Sequence, residues 1–172
     1  MAIIKPNNNT MSAVTAAGLP TLAGSNMPSG TVLQVVSARP AVTLDTNSTS
    51  YQATGTELDI TPTATSSKIW VVVTSGLFWA NSSTAGGVGG VCTIYRDSTN
   101  LGQGGTNQMV RTYRVEGVSI QTVASMSILD SPNTTSSIKY EVYMKSVWNT
   151  PTMKWNDSGA DIATITAYEI KG

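Results

Sequence analysis

The clearest signal in this chain is an alternation of apolar and polar residues with a period of two. Between Ser137 and Trp148, Ile138, Tyr140, Val142 and Met144 fall on one face and Lys139, Glu141 and Lys145 on the other. Successive strand side chains point to opposite faces, so this pattern predicts a half-buried β-strand. The same period governs the stretch before it. There Val118, Ile120, Thr122, Ala124, Met126 and Ile128 alternate with Ser119, Gln121, Val123, Ser125, Ser127 and Leu129, and Asp130-Ser131-Pro132-Asn133 supplies a turn. Upstream, Thr31 to Ser37 is rich in β-branched residues and stops at Pro40, which has no N–H for a central ladder. Ser50 to Ile60 sets Leu58 and Ile60 against Glu57 and Asp59.

Two stretches break the alternation. Lys68 to Ala80 (KIWVVVTSGLFWA) is apolar at nearly every position. It predicts one strand buried on both faces, kinked at Gly76, with Trp70 and Trp79 in the core. The glycine run at 86–90 predicts a loop before a strand from Val91 to Arg96, with Asp97 to Asn100 as a turn. Residues 161–170 close the chain with small or apolar side chains on both faces. No segment keeps a helical period. Eight or nine strands joined by Ser/Thr/Gly turns predict an all-β fold, a sandwich or barrel. Long strands with long loops, and no paired cysteines about a tryptophan, favour a jelly-roll β-sandwich over residues 30–172.

Residues 1–29 follow a different rule. No charged side chain occurs from Pro6 through Ala38, yet apolar residues are single: Met11, Val14, Leu19, Leu22 and Met27. A solvated tail stays soluble through charge, and a helix repeats its apolar residues at helical spacing. This segment does neither, which predicts an extended N-terminal arm whose short apolar side chains drop into pockets on a partner.

Composition narrows the function. Charged residues are 12% of the chain, about half the usual share of roughly 25%. Ten basic residues balance ten acidic ones, so no broad field exists to attract nucleic acid or an anionic membrane. Such a surface suits a protein mostly covered by neighbouring subunits, or one exposed in a harsh medium. The chain has no histidine, which removes the commonest general base and zinc ligand. Cys92, the one cysteine, sits in a strand pattern and reads as a small buried hydrophobe. No signal-peptide pattern follows Lys5, and no run reaches the roughly 18 apolar residues of a membrane helix. The expectation is synthesis in a cytoplasm and no membrane insertion.

Candidate chemistry is sparse. Glu57 and Asp59 share a strand face and offer a carboxylate pair, but a glycosidase takes its two carboxyls from different strands, and a solvated face is the simpler reading. Asp157 and Asp161 do not match a calcium-loop spacing. The glycines at 86–90 and 102–105 lack the Lys-Ser/Thr and the helix of a phosphate loop. Asn-x-Ser/Thr triplets, as at Asn8 and Asn133, arise readily in so Ser/Thr-rich a chain. No catalytic residue, metal ligand or cofactor site is predicted. Tyr143, Trp148 and Trp155 cluster around a polar loop, where aromatics pack a core, anchor a protein interface or stack on a sugar.

The blocks MPSGTVLQVVSA (27–38), ITPTATSSKIWVVVTSG (60–76), TIYRDSTNLGQG (93–104), ILDSPNTTSSIKYEVYMKS (128–146) and ATITAYEI (163–170) resemble, in collinear order, a group of small virion proteins of marine and cyanobacterial bacteriophages. These are called tail-fibre-like or capsid-decoration proteins. The resemblance covers nearly all of the β-domain and rests on turns and strands, none catalytic. It implies a trimeric jelly roll, akin to those of the tumour-necrosis-factor and complement C1q type, with the final strand near the threefold axis. The expected role is a homotrimeric capsid decoration, or cement, protein of the virion, bound through its arm to the major capsid protein or another virion protein. The alternative is a receptor-binding fibre whose aromatics meet a host glycan or surface protein.

Overall fold

The computed structural model describes residues 27–81, 87–103, 105, 107–114, 119–148, 152–157 and 161–172. The predicted arm lies outside the described residues except at 27–29, so Met11, Val14, Leu19 and Leu22 are not placed. The described residues form an all-β protein without helices.

The strands are β1 (Val32–Ala38), β2 (Leu44–Thr46), β3 (Gln52–Ile60), β4 (Lys68–Thr74), β5 (Phe78–Asn81), β6 (Val88–Arg96) and β7 (Thr99–Asn100). They continue with β8 (Val110–Arg114), β9 (Ile120–Thr122), β10 (Ser125–Asp130), β11 (Ile138–Ser146), β12 (Thr152–Trp155) and β13 (Thr164–Ile170). One sheet runs β1-β13-β4-β10, and a second runs β2-β12-β5-β9. The second repeats the order of the first with each strand's neighbour in the chain, so the two are successive halves of the same four ribbons. The third sheet runs β3-β11-β6, with β7 and β8 both on β6. All ladders are antiparallel.

One apolar cluster joins the sheets, an arrangement consistent with a β-sandwich. It takes Ile69, Val71 and Val73 from β4, Ile165 and Ala167 from β13, Leu58 and Ile60 from β3, and Tyr140, Val142 and Met144 from β11. Two polar knots sit at its margin. Arg96 donates to both carboxylate oxygens of Asp130 at 2.8 Å, and the Tyr140 hydroxyl donates to the same carboxylate at 2.6 Å. Elsewhere the fully buried Glu169 accepts from Gln34 Nε2, Thr63 N and Oγ1, and Ser67 Oγ at 2.6–2.7 Å. Burial pushes the Glu169 carboxyl up, but these hydrogen bonds overcome it and hold the group below its ordinary range.

The expected single strand from Lys68 to Ala80 is two strands, because the ribbons break along a seam. Asn156 is buried in the left-handed region (φ 55°) and clamps this seam. Its Oδ1 accepts from Gly76 N at 3.1 Å and Leu77 N at 3.5 Å, and its Nδ2 donates to Val42 O at 3.0 Å. Ser75 completes the seam by exchanging hydrogen bonds with Ala124, its N to Ala124 O at 2.9 Å and Ala124 N to its Oγ at 2.8 Å. A Cβ on Gly76 would lie 2.6 Å from Ile162 N, so only glycine fits there. The same seam divides the expected alternation of 118–129 into β9 and β10.

The glycine loop expected at 86–90 is corrected as well: Val88–Arg96 is a central strand. Its glycines are packing devices. Outward, Gly87 and Gly89 leave room for Trp148, whose ring atoms would lie 3.1–3.2 Å from a Cβ at either position. Inward, Gly90 admits Met153, whose Cε would collide with a Cβ.

Candidate interaction surfaces

The outer faces of the two principal sheets have different chemistries. On the β1-β13-β4-β10 sheet, Val35 pairs with Tyr168, Tyr168 with Trp70, and Trp70 with Leu129. These four residues form a cross-strand row over the whole width of the sheet. Val35 is 54% exposed, Trp70 44% and Leu129 54%, and the Trp70 and Tyr168 rings are tilted together at 5.2 Å. The expectation that Trp70 is core is therefore wrong. The apolar stretch around it hides a strict alternation in which Ile69, Val71 and Val73 point inward. The next rows are Ser37, Thr166, Val72 and Ser127, then Thr164, Thr74 and Ser125. Ser37 and Thr166 are hydrogen-bonded to each other at 2.9 Å. Lys68 is the single charged strand residue on this face, since Glu169 and Asp130 turn inward. The closing strand is thus not apolar on both faces; it is inward-apolar with Thr164, Thr166, Tyr168 and Ile170 outward.

The outer face of the β3-β11-β6-β8 sheet carries aromatic rings among charges. Tyr143 is half-buried against Tyr95 (ring centroids 4.0 Å), and Tyr95 meets Tyr51 edge-on at 5.9 Å. Burial and the neighbouring Tyr95 push the Tyr51 hydroxyl up to about 12. Lys145 Nζ lies 4.5 Å from the centre of the Tyr51 ring. Trp148 is half-buried beside Tyr113 at 5.2 Å, and the Arg111 guanidinium lies 5.3 Å from the Tyr113 ring. Of the three aromatic residues singled out in the sequence, Tyr143 and Trp148 lie on this face. Trp155 does not. It is fully buried, donates from Nε1 to Thr56 Oγ1 at 2.8 Å and packs edge-on to Phe78, so a surface contact through it is excluded.

Glu57 and Asp59 are exposed on β3, as their alternation predicts. Glu57 stands opposite Glu141, and Lys139 bridges the two at 2.9 and 2.8 Å. Hydrogen bonds from Lys139 to Glu141 and Glu57 hold its ammonium well above the ordinary lysine range. These carboxylates are engaged as an ion-pair network. Gly55, at φ +76° and against Val42, forms the bulge that shifts register between Glu141 and Tyr143. Asp157 is paired with Lys154 at 3.3 Å. Cys92 is buried in β6, and burial pushes its thiol far up. Trp79 is half-buried, with Lys154 Nζ 5.2 Å above its ring.

Met27, the one predicted arm residue among those described, is half-buried, and its carbonyl accepts from Lys171 Nζ. The chain then turns at Gly30 (φ +87°) and joins the end of β13, Gly30 N donating to Lys171 O and Lys171 N to Thr31 O at 2.8 Å each. No family model matches the chain, and no curated protein matches it.

Proposed function

We propose that this chain is a virion structural protein of a bacteriophage, a homotrimeric jelly roll that decorates and stabilises the capsid without enzymatic activity. The observation that carries the reading is the outer face of the β1-β13-β4-β10 sheet, on which Lys68 is the one charged strand residue. The row of exposed Val35, Trp70 and Leu129 with half-buried Tyr168 suits burial against copies of the same chain, because the row itself carries no charge and Lys68 stands in the row beside it. The winding supports the jelly-roll assignment. Joining β1 with β2, β4 with β5, β9 with β10 and β12 with β13, and setting aside the two-residue β7, leaves eight strands. Counted along the chain, they are ordered 1-8-3-6 in one layer and 2-7-4-5 in the other.

The arm of residues 1–29 is the attachment device, with Met11, Val14, Leu19, Leu22 and Met27 seated in seams between capsid subunits. Binding of this kind stabilises a shell by mass action. The test is a truncated chain starting at Ser29. It should fold and trimerise but fail to bind particles lacking the protein; decoration at full occupancy would move attachment to the β-domain.

A second reading, a receptor-binding fibre, is favoured by Tyr143 and Trp148 on the aromatic outer face. Copy number separates the two. Hundreds of copies per particle mean decoration, and about a dozen mean a tail appendage.

A further inference from the structure

The outer face of the β3-β11-β6-β8 sheet contains a hollow of about 120 Å³, lined by Thr49, Val91, Gln108, Arg111, Lys145 and Val147 among others. The sheet register builds it. Lys145 on β11 and Arg111 on β8 are both paired with Val91 on β6, which is buried between them and forms the floor. Two cations therefore face each other across two strand spacings, roughly 10 Å. Neither has an ion-pair partner among the described residues, whereas Arg96, Lys139 and Lys154 all do. Each instead lies over a tyrosine ring, Lys145 over Tyr51 and Arg111 over Tyr113. A third feature is unexplained by folding: Gln108 Oε1 is buried and has no hydrogen-bond partner. A buried acceptor without a donor is costly.

We propose that this hollow binds a carboxylated sugar, such as a uronic acid residue of an acidic polysaccharide. The carboxylate answers Lys145 and Arg111, and a sugar hydroxyl donates to Gln108 Oε1. A simple anion satisfies only the two cations and a neutral sugar only Gln108. The inference gives the receptor-binding reading a ligand class but rests on this hollow alone. Its test uses the purified protein and is independent of copy number on the particle.

The probes are an oligogalacturonate, a neutral galactose oligomer of the same length, and inorganic phosphate, titrated by calorimetry and by chemical shifts of the protein. The oligogalacturonate should bind saturably and release in high salt. The neutral oligomer and phosphate should each bind at least about tenfold more weakly, the loss expected when a charged or hydrogen-bonded contact is missing. Arg111→Gln and Lys145→Gln should each weaken oligogalacturonate binding by a similar factor with the melting temperature unchanged. Gln108→Leu should weaken it while leaving stability equal or higher, which a purely structural role would not produce. Lys68→Gln on the opposite sheet is the control and should bind as the wild type does. Absence of oligogalacturonate binding, equal binding of the neutral oligomer or of phosphate, or wild-type affinity in both cation variants would each overturn the proposal.

Discussion

The two outer faces are made by the same device, a strict alternation along antiparallel strands, and differ in what the outward positions carry. On the β1-β13-β4-β10 sheet they carry Val35, Tyr168, Trp70 and Leu129 in one row, mostly hydroxyls in the rows to one side of it, and Val32, Ile170 and Lys68 in the row on the other. On the β3-β11-β6-β8 sheet they carry tyrosines interleaved with Lys139, Glu57, Lys145 and Arg111. The first chemistry is at home only when covered, because exposed apolar rows associate. The second is stable in water and selective toward polar ligands. The contrast lies in where charge is allowed. β13 carries one acid, Glu169, and it is turned inward and satisfied by uncharged donors rather than presented on the outer face.

The largest effect should come from placing charge on the uncharged row. Trp70→Asp combined with Leu129→Asp sets two like charges on a face proposed to meet its own copy. Each apolar side chain lost from an interface removes roughly 1.5–3 kcal/mol, and the trapped carboxylates add to that. The expected outcome is a monomer by light scattering with an unchanged far-ultraviolet spectrum. A double variant that stays trimeric would show that self-association uses another surface.

Next in size is the inward acid. Glu169→Ala strands Gln34, Thr63 and Ser67 donors and should cost about 3 kcal/mol in chemical unfolding. Its pH dependence has a definite sign. The folded-state carboxyl titrates below its unfolded value, so its contribution is present above the unfolded value, roughly pH 4.3, and is lost as pH falls through the folded one. Glu169→Gln should therefore flatten the acid limb of the stability curve. A limb as steep as that of the wild type would assign acid sensitivity to other carboxyls.

The two faces were unequally legible in the sequence. The period-two pattern places the faces of β11 correctly, because charged Lys139 and Lys145 alternate with large apolar residues and no tertiary feature interrupts the pattern. The faces of β4 are not legible in the same way, since Trp70 and Val72 outward look the same in sequence as Val71 and Val73 inward. An outer face whose one strand charge is Lys68 blurs the contrast on which periodicity depends. The glycines of β6 suggest a loop rather than a strand for a related reason. Glycine reports only that space is needed, and here the space is filled from far along the chain by Trp148 and Met153. The hollow between Lys145 and Arg111 left no trace in sequence, because the three strands that build it come from separate segments. The seam was half legible: Gly76 marked a kink, but the clamp, Asn156, lies 80 residues away.

The smallest effect should come from the charges that the aromatic face presents to water. Lys139→Ala removes the bridge between Glu57 and Glu141. Lys139 and Glu57 are well exposed, at 39% and 45% of their side chains, so solvent screens the pair and the loss should be under about 1 kcal/mol. Glu141 is largely buried, which makes it the partner most sensitive to losing the cation. Lys139 titrates above its unfolded value, so its stabilisation is present below roughly pH 10.4 and is lost only as pH rises through the folded value. Between neutral and mildly alkaline pH the wild type and Lys139→Ala should therefore differ by a constant small amount in chemical unfolding. Glu57→Gln should cost less still, because the shorter contact from Lys139 to Glu141 remains. A loss of several kcal/mol from Lys139→Ala would mean that charge on this face supports the fold, and the division between a covered face and a solvated one would fail.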